Sequence, residues 1–450
     1  MPARPPAGRR RYKGRMDAIA RYFRFEQHKT SYGQEAVAGL TTFMTMSYII
    51  IVNPAIMAAA GLPKEASMVA TVATAIFGTV LMGVYANRPF AIAPYMGENA
   101  FLAFTVVGQL HFHWTQALGA VFIAGVLFIL LTITKVRQWL LDAVPLNLRY
   151  SFAVGIGLFM TFIGLNETGI VTVGVAGAPV RTGHLTSAPV LVAVFGFLLI
   201  AVLMIRKFPG AILVGIAATT LLAFVTGVAQ WPAEYVSAPP SLAPIFLKMD
   251  LKGALSVGFL GVVLVIFVMA FVDTMGTLIG LSARANLLVD GTLPHIERPM
   301  LADALATTFA AVSGTSTAGA YIESATGIES GGRTGFTSLV TAACFALALF
   351  FAPLVAAVPP QAYGPALIIV GLLMLAPIVK IDFNDYTELI PAFAVVALMS
   401  FTYNIGVGIT AGFVLAPFCK LVAGRVREVK PGLWVLAGLS LLFFVFYPYV

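Results

Sequence analysis

The chain has 450 residues, of which 59% are hydrophobic and only 10% charged, against roughly 25% charged residues in an ordinary soluble protein. That much apolar surface does not fit inside one soluble core, so a water-soluble enzyme or scaffold is excluded and lipid is the main solvent. The formal charge of +8 does not point to nucleic acid: the first thirty residues hold nine Lys or Arg against Asp17 and Glu26, and no aromatic platform for stacking bases accompanies them.

In chain order, residues 1–30 form a basic tail whose charge places the amino terminus in the cytoplasm. Apolar runs then predict spans near 36–58, 67–85, 89–108, 116–134, 150–170, 187–205 and 209–228. The first is too long for the apolar part of a signal peptide and lacks a small-residue cleavage site. A Pro-rich extracytoplasmic loop (231–252) follows, and the pattern resumes near 253–281, 302–314, 316–329, 335–357, 363–379, 387–422 and 432–449. The run 387–422 is long enough for two short helices, and 432–449 is compatible with crossing the membrane or lying along it.

The loop charges test the orientation. Lys135, Arg137, Arg206, Lys207, Arg284, Arg298, Lys380, Lys420, Arg425, Arg427 and Lys430 fall on the cytoplasmic side, while the loops at 109–115 and 229–246 carry no Lys or Arg. Seven crossings per half turn the second half (253–450) upside down relative to the first (31–230). The expectation is an all-α membrane protein of about fourteen spans in two inverted repeats. Cys344 and Cys419 lie in apolar runs and imply no disulfide framework.

The third span of each half is unusual. The stretch from Asn87 to Asn99 carries Pro89 and Pro94 among polar residues, and the stretch from Gly314 to Ser324 is rich in Gly, Ser and Thr. Interrupted segments in corresponding positions of two halves mark a transporter's binding site, because broken helices expose backbone groups at mid-membrane.

Asp273 is the only charge between Gly253 and Ala283, and an ionised acid at a helix centre costs about 2.5–3.5 kcal/mol. Thr277 shares its helical face, and Gly276 and Gly280 let another helix come close, so the plainer role is interhelical glue. Glu323 follows the Gly/Ser/Thr break, where a capping carboxylate is the plainer role. A carboxyl group accepting hydrogen bonds from ring and exocyclic N–H groups suits a flat nucleobase, and an acid held away from water is suited to carrying a proton. Asn99 offers a donor and an acceptor to a base edge or to a neighbouring helix. Phe90 offers a stacking face, or simple packing.

These residues sit in strings that resemble a known family. Ala38 to Phe43, Val52-Asn53-Pro54-Ala55, Ala93 to Ala100, Asp273-Thr274-Met275-Gly276-Thr277, Ala302-Asp303-Ala304, Gly314 to Ser324 and Gly331 to Gly335 occur in order. They resemble the AzgA-like branch of the nucleobase-cation symporter 2 family, the adenine, guanine and hypoxanthine permeases. The resemblance implies a UraA-like fold of two inverted seven-span repeats, with short extended segments in spans 3 and 10. It also implies a core domain (approximately 31–134 and 253–357) and a gate domain (approximately 148–230 and 362–450).

By that likeness Asn99, Asp273 and Glu323 fall on purine-binding positions and Phe90 near a stacking position. Proton symport by alternating access, no other cofactor, a homodimer and residence in the cell membrane follow from the same likeness. Two positions depart from the pattern. Family members carry an acid where this chain has Ala270, and Gly and Leu where it has Tyr95 and Glu98, which makes Glu98 a candidate proton carrier in place of the missing acid.

The alternatives are a transporter of xanthine or uracil, an anion exchanger on the same fold, a channel, or an intramembrane enzyme. An anion site favours a cation or bare helix amino termini, and Arg88 is the residue nearest that role, although an interfacial anchor is its plainer reading. An enzyme needs a nucleophile with its base, or a metal cluster; His28, His111, His113, His184 and His295 all lie in the tail or loops. No ring-forming filter motif argues for a channel.

Overall fold

The computed structural model describes residues 18–134, 143–175, 178–256, 259–285, 287 and 293–446. The basic tail up to residue 17, the loop with Lys135 and Arg137, and the side chain of Arg284 lie outside the described residues. What is described is almost wholly helical. Eight of the described helices are long and apolar enough to cross a membrane, as expected where every backbone group must find its partner within the chain.

In the first half, α1 (Tyr32–Met46) leads into α2 (Ile49–Ala59), and α3 (Lys64–Val84) returns beside it. The chain then becomes extended at β1 (Ile92–Pro94), turns into a short α4 (Met96–Ala100) and continues as a π-helical stretch to Gln109. After α5 (Trp114–Ile133) comes α6 (Leu146–Glu167), a hairpin of β2 (Val171–Val175) and β3 (Ala178–Thr182), and the apolar helices α7 (Ala188–Ile205) and α8 (Ala211–Val225).

The second half holds α9 (Leu260–Arg284), α10 (Glu297–Ser313), the extended β4 (Ala318–Ala320), a short α11 (Ser324–Glu329) and α12 (Gly335–Ala348). It ends with α13 (Pro360–Met374), α14 (Tyr386–Phe401), α15 (Ile405–Val422) and α16 (Pro431–Phe446).

The run 387–422, long enough for two short helices, does form two, α14 and α15. Tyr403 takes a left-handed backbone conformation (φ 55°), and the side chain of Asn404 accepts from Val407 N at 3.2 Å to cap the next helix. Hydropathy alone does not register such a break, because Phe401 and Ile405 on either side of it are as apolar as the helices.

The helices pack as two sets. α3 lies against α2, α10 and α12, and α5 lies against α10; α6 lies against α13 and α14, with α15 beside α14 and α7 beside α8 and α13. Small residues make the closest approaches possible in the second set, where a Cβ on Gly157 would meet Gly371 O at 2.7 Å and one on Gly164 would meet Gly364 O at 2.6 Å. At the start of α14 an ion-pair network forms. Asp385 caps the helix, Arg425 Nη1 reaches Asp385 at 2.7 Å, and Lys420 bridges Glu388 at 2.8 Å and Glu428 at 2.9 Å. Hydrogen bonds from Arg425 and then Lys420 pull the Glu428 carboxyl down to about 2.

Candidate functional site

The site begins where the two broken segments cross. β1 and β4 pair antiparallel, with Ile92 opposite Ala320, Ala93 opposite Gly319 and Pro94 opposite Ala318. The pairing is extended by Tyr95 N to Thr317 O and Tyr321 N to Ala91 O, both 2.9 Å. Proline at 94 is tolerated because a strand of three residues has an edge where no ladder donor is needed.

Two isolated strands in a membrane leave backbone groups that water cannot reach, and threonines from flanking helices satisfy them. Thr79 on α3 accepts from Ile92 N at 2.9 Å and donates to Ile92 O at 3.1 Å. Thr307 on α10 accepts from Ala318 N at 3.3 Å and donates to Ala318 O at 2.7 Å. The same device therefore serves each half. Gly319 is required here: a Cβ would fall 2.0 Å from the Tyr95 hydroxyl oxygen, so the tyrosine ring lies where a side chain would otherwise stand.

Around this crossing lie the candidate residues. Glu98 and Asn99, on α4, are completely buried. Asn99 Nδ2 donates to Asn53 Oδ1 at 2.7 Å, and Asn53 Nδ2 donates to Thr71 at 2.7 Å and Thr315 at 2.9 Å, so the amide chain ties α2 and α3 to both broken segments. Asn99 Oδ1 and both carboxyl oxygens of Glu98 are buried without a hydrogen-bond partner, as are the hydroxyls of Ser316 and Thr317 just before β4. Buried polar atoms are nearly always paired, so this cluster is suited to binding a polar ligand.

Glu323 occupies the cap position of α11 but makes no side-chain cap. Its Oε1 instead accepts from the Tyr48 hydroxyl at 2.6 Å. Asp273 lies on α9, half-buried, and is an electrostatic neighbour of Glu98. Glu323, Glu98 and Asp273 all act on the phenol of Tyr321, whose hydroxyl donates to Pro94 O. Phe90, just before β1, is wholly enclosed, and its carbonyl accepts from Ser338 at 2.9 Å. Arg88 donates to Pro294 O at 2.8 Å.

Sequence reasoning did not select several residues of this network, among them Thr274, Asp303 and Tyr48. Thr274, beside Asp273, donates to Asp303 and meets the Tyr95 hydroxyl at 3.2 Å. Asp303 also accepts from Ala320 N at 2.9 Å, fastening β4 to α10. Tyr48 was the least visible, because a tyrosine among Ile and Met reads as ordinary packing. Asp303 had the clearer signal, as a lone acid in the run 302–314.

The chain is similar to proteins of known class over nearly its whole length. The Permease family profile matches residues 33–415. The adenine permease AdeQ of Escherichia coli is 39% identical over 425 residues, covering 94% of this chain and 95% of that protein. The guanine/hypoxanthine permease PbuO of Bacillus subtilis is 41% identical over 430 residues, covering 94% and 99%. A permease of Methanocaldococcus jannaschii is 46% identical over 432 residues, covering 96% and 99%. Among solved structures, the transmembrane domain of the cyanobacterial bicarbonate transporter BicA superposes with a TM-score of 0.64 at 17% identity, over 84% of this chain and 96% of that one. The murine anion transporter Slc26a9 gives 0.62 at 12% identity, over 87% and 69%. These two show the fold alone.

Proposed function

Because this chain belongs to the nucleobase-cation symporter 2 family of permeases and is a multi-pass membrane protein, we propose that it imports purine nucleobases of the adenine, guanine and hypoxanthine class across the cell membrane with a proton. The observation that carries the reading is the crossing of β1 and β4, beside which acids and orphan polar atoms gather. A purine is flat and uncharged, with adjacent donors and acceptors on its edges, and carboxyl, amide and hydroxyl groups are its natural complement.

In this reading Asp273, Glu323 and Asn99 hold the base and Phe90 stacks near it, while Asp273, Glu323 and Glu98 share the work of carrying the proton. No cofactor other than the proton takes part. The fold is fourteen spans in two inverted repeats. Matching threonine clamps on α3 and α10 support the repeat, and α16 is the helix left over after α15 closes the second set of seven. The core (31–134 and 253–357) and the gate (148–230 and 362–450) move against one another to alternate access. The amino terminus is cytoplasmic and the working form is a homodimer.

The anion-exchange alternative shares the fold, but the groups gathered at the crossing are carboxyl, amide and hydroxyl side chains with no cation among them, and one Nη of Arg88 donates to the Pro294 carbonyl. Uptake of radiolabelled purine into vesicles, with and without an imposed proton gradient, tests the proposal. Accumulation above equilibrium only with the gradient is expected, and gradient-independent equilibration overturns the coupling.

A further inference from the structure

We propose that Glu98 reads the base directly as a neutral carboxylic acid, its C=O and O–H pairing with an N–H donor and an adjacent acceptor on the base, and that loss of its proton expels the base. This rests on the purine reading above and assigns one residue the link between proton and substrate.

Three other acids of the core are engaged by the chain. Glu35 accepts four hydrogen bonds, Asp303 accepts from Thr274 and Ala320 N, and Glu323 accepts from Tyr48. Glu98 is completely buried and neither of its oxygens has a partner. A charge is not held in such surroundings without a compensating group, so the group that enters must supply hydrogen bonds to an acid, not a countercharge.

A neutral carboxyl group presents one acceptor beside one donor. Hypoxanthine and guanine present the complementary pair as N1–H and O6, and adenine as its 6-amino N–H and N1, matched by exchanging which carboxyl oxygen bears the hydrogen. Once the proton leaves, both oxygens are acceptors and one of them faces O6 or N1, itself an acceptor. The pairing fails and the base is released. The proton comes from external water, rides on Glu98 with the base, and passes to cytoplasmic water, with no bond of the base broken. Asn99 Oδ1 and the Ser316 and Thr317 hydroxyls, also unpartnered, remain for the rest of the ring.

The ionisable groups facing Glu98 are Asp273 from α9, Asp303 from α10, Tyr95 beside it on the first broken segment, and Tyr321 from the second. From α6 the neighbour is apolar: a Cβ on Gly97 would lie 3.0 Å from Ile156. Two acids and two phenols leave no cation among these groups.

The test uses the full chain in proteoliposomes loaded with hypoxanthine, following exchange of labelled hypoxanthine across a range of pH. Wild-type affinity is expected to weaken towards about tenfold per pH unit on the alkaline side, the limit for one coupled proton. A Glu98→Gln variant, whose amide keeps one acceptor and one donor at every pH, is expected to give exchange that no longer varies with pH and to lose gradient-driven accumulation. Independently of any variant, 1-methylhypoxanthine, which lacks N1–H, is expected to compete at least about tenfold more weakly than hypoxanthine on the wild-type protein, the scale of one lost hydrogen bond to a buried group. Wild-type pH dependence in Glu98→Gln, or equal competition by 1-methylhypoxanthine, overturns the assignment while leaving purine transport standing. A wild-type protein that exchanges no purine overturns the parent reading and this one with it.

Discussion

Glu35 and Glu98 are the same residue, both completely buried, in opposite circumstances. The Glu35 carboxylate, near the start of α1, accepts from Arg333 N at 3.1 Å, Thr334 N at 3.2 Å, the Thr334 hydroxyl at 2.8 Å and the Thr337 hydroxyl at 2.6 Å, and so closes the amino-terminal end of α12. Glu98 has no hydrogen-bond partner at either oxygen. A carboxyl group saturated by the chain itself serves the fold, whereas one the chain leaves unsatisfied is a standing cost kept for something that binds.

Substitution should separate the two roles, and the largest effect belongs to Glu35. Glu35→Ala strands several buried donors and is expected to destabilise the protein by about 3–5 kcal/mol, seen as a lower midpoint of thermal unfolding in detergent. Tyr48→Phe removes the donor to Glu323, which stands between the two cases, and should cost about 1.5–3 kcal/mol in the same assay. Gly319→Ala forces Tyr95 off β4 and is expected to lose about 1–3 kcal/mol together with uptake, because it distorts the crossing itself. Glu98→Gln should instead leave stability within about 1 kcal/mol of wild type or raise it, as removing a poorly satisfied functional acid commonly does. A fall as large as that of Glu35→Ala would erase the contrast.

The smallest effect lies outside the membrane, at Glu428. Its folded carboxyl is depressed to about 2 by Arg425 and Lys420, so its contribution is full above the ordinary glutamate range and disappears as pH falls through about 2. Because the pair is exposed, Glu428→Gln should flatten only this acid limb of the stability profile, and added salt should shrink the difference further.

Much of this organisation is readable from residues. Pro89 and Pro94 in one span, and Gly314, Ser316, Thr317 and Gly319 in another, cannot make ordinary membrane helices, and both stretches are extended in the structure. Asp273 and Glu323 announce themselves as charges in apolar runs. Periodicity carries no information about partners, however. It does not show that Tyr48 reaches Glu323 across 275 positions, or that Thr79 and Thr307 clamp the strands. The length of the run 387–422 allows two helices, but the place of the break at Tyr403 and Asn404 is not legible, because hydropathy averages over a turn whose flanks are equally apolar.

The most direct measurement is competition for gradient-driven uptake of labelled hypoxanthine by the wild-type protein in proteoliposomes, using adenine, guanine, xanthine, uracil and bicarbonate as competitors. A purine permease with an acid-lined crossing predicts strong competition by adenine and guanine and none by bicarbonate. Absence of hypoxanthine uptake, or bicarbonate competing as well as the purines, would contradict it.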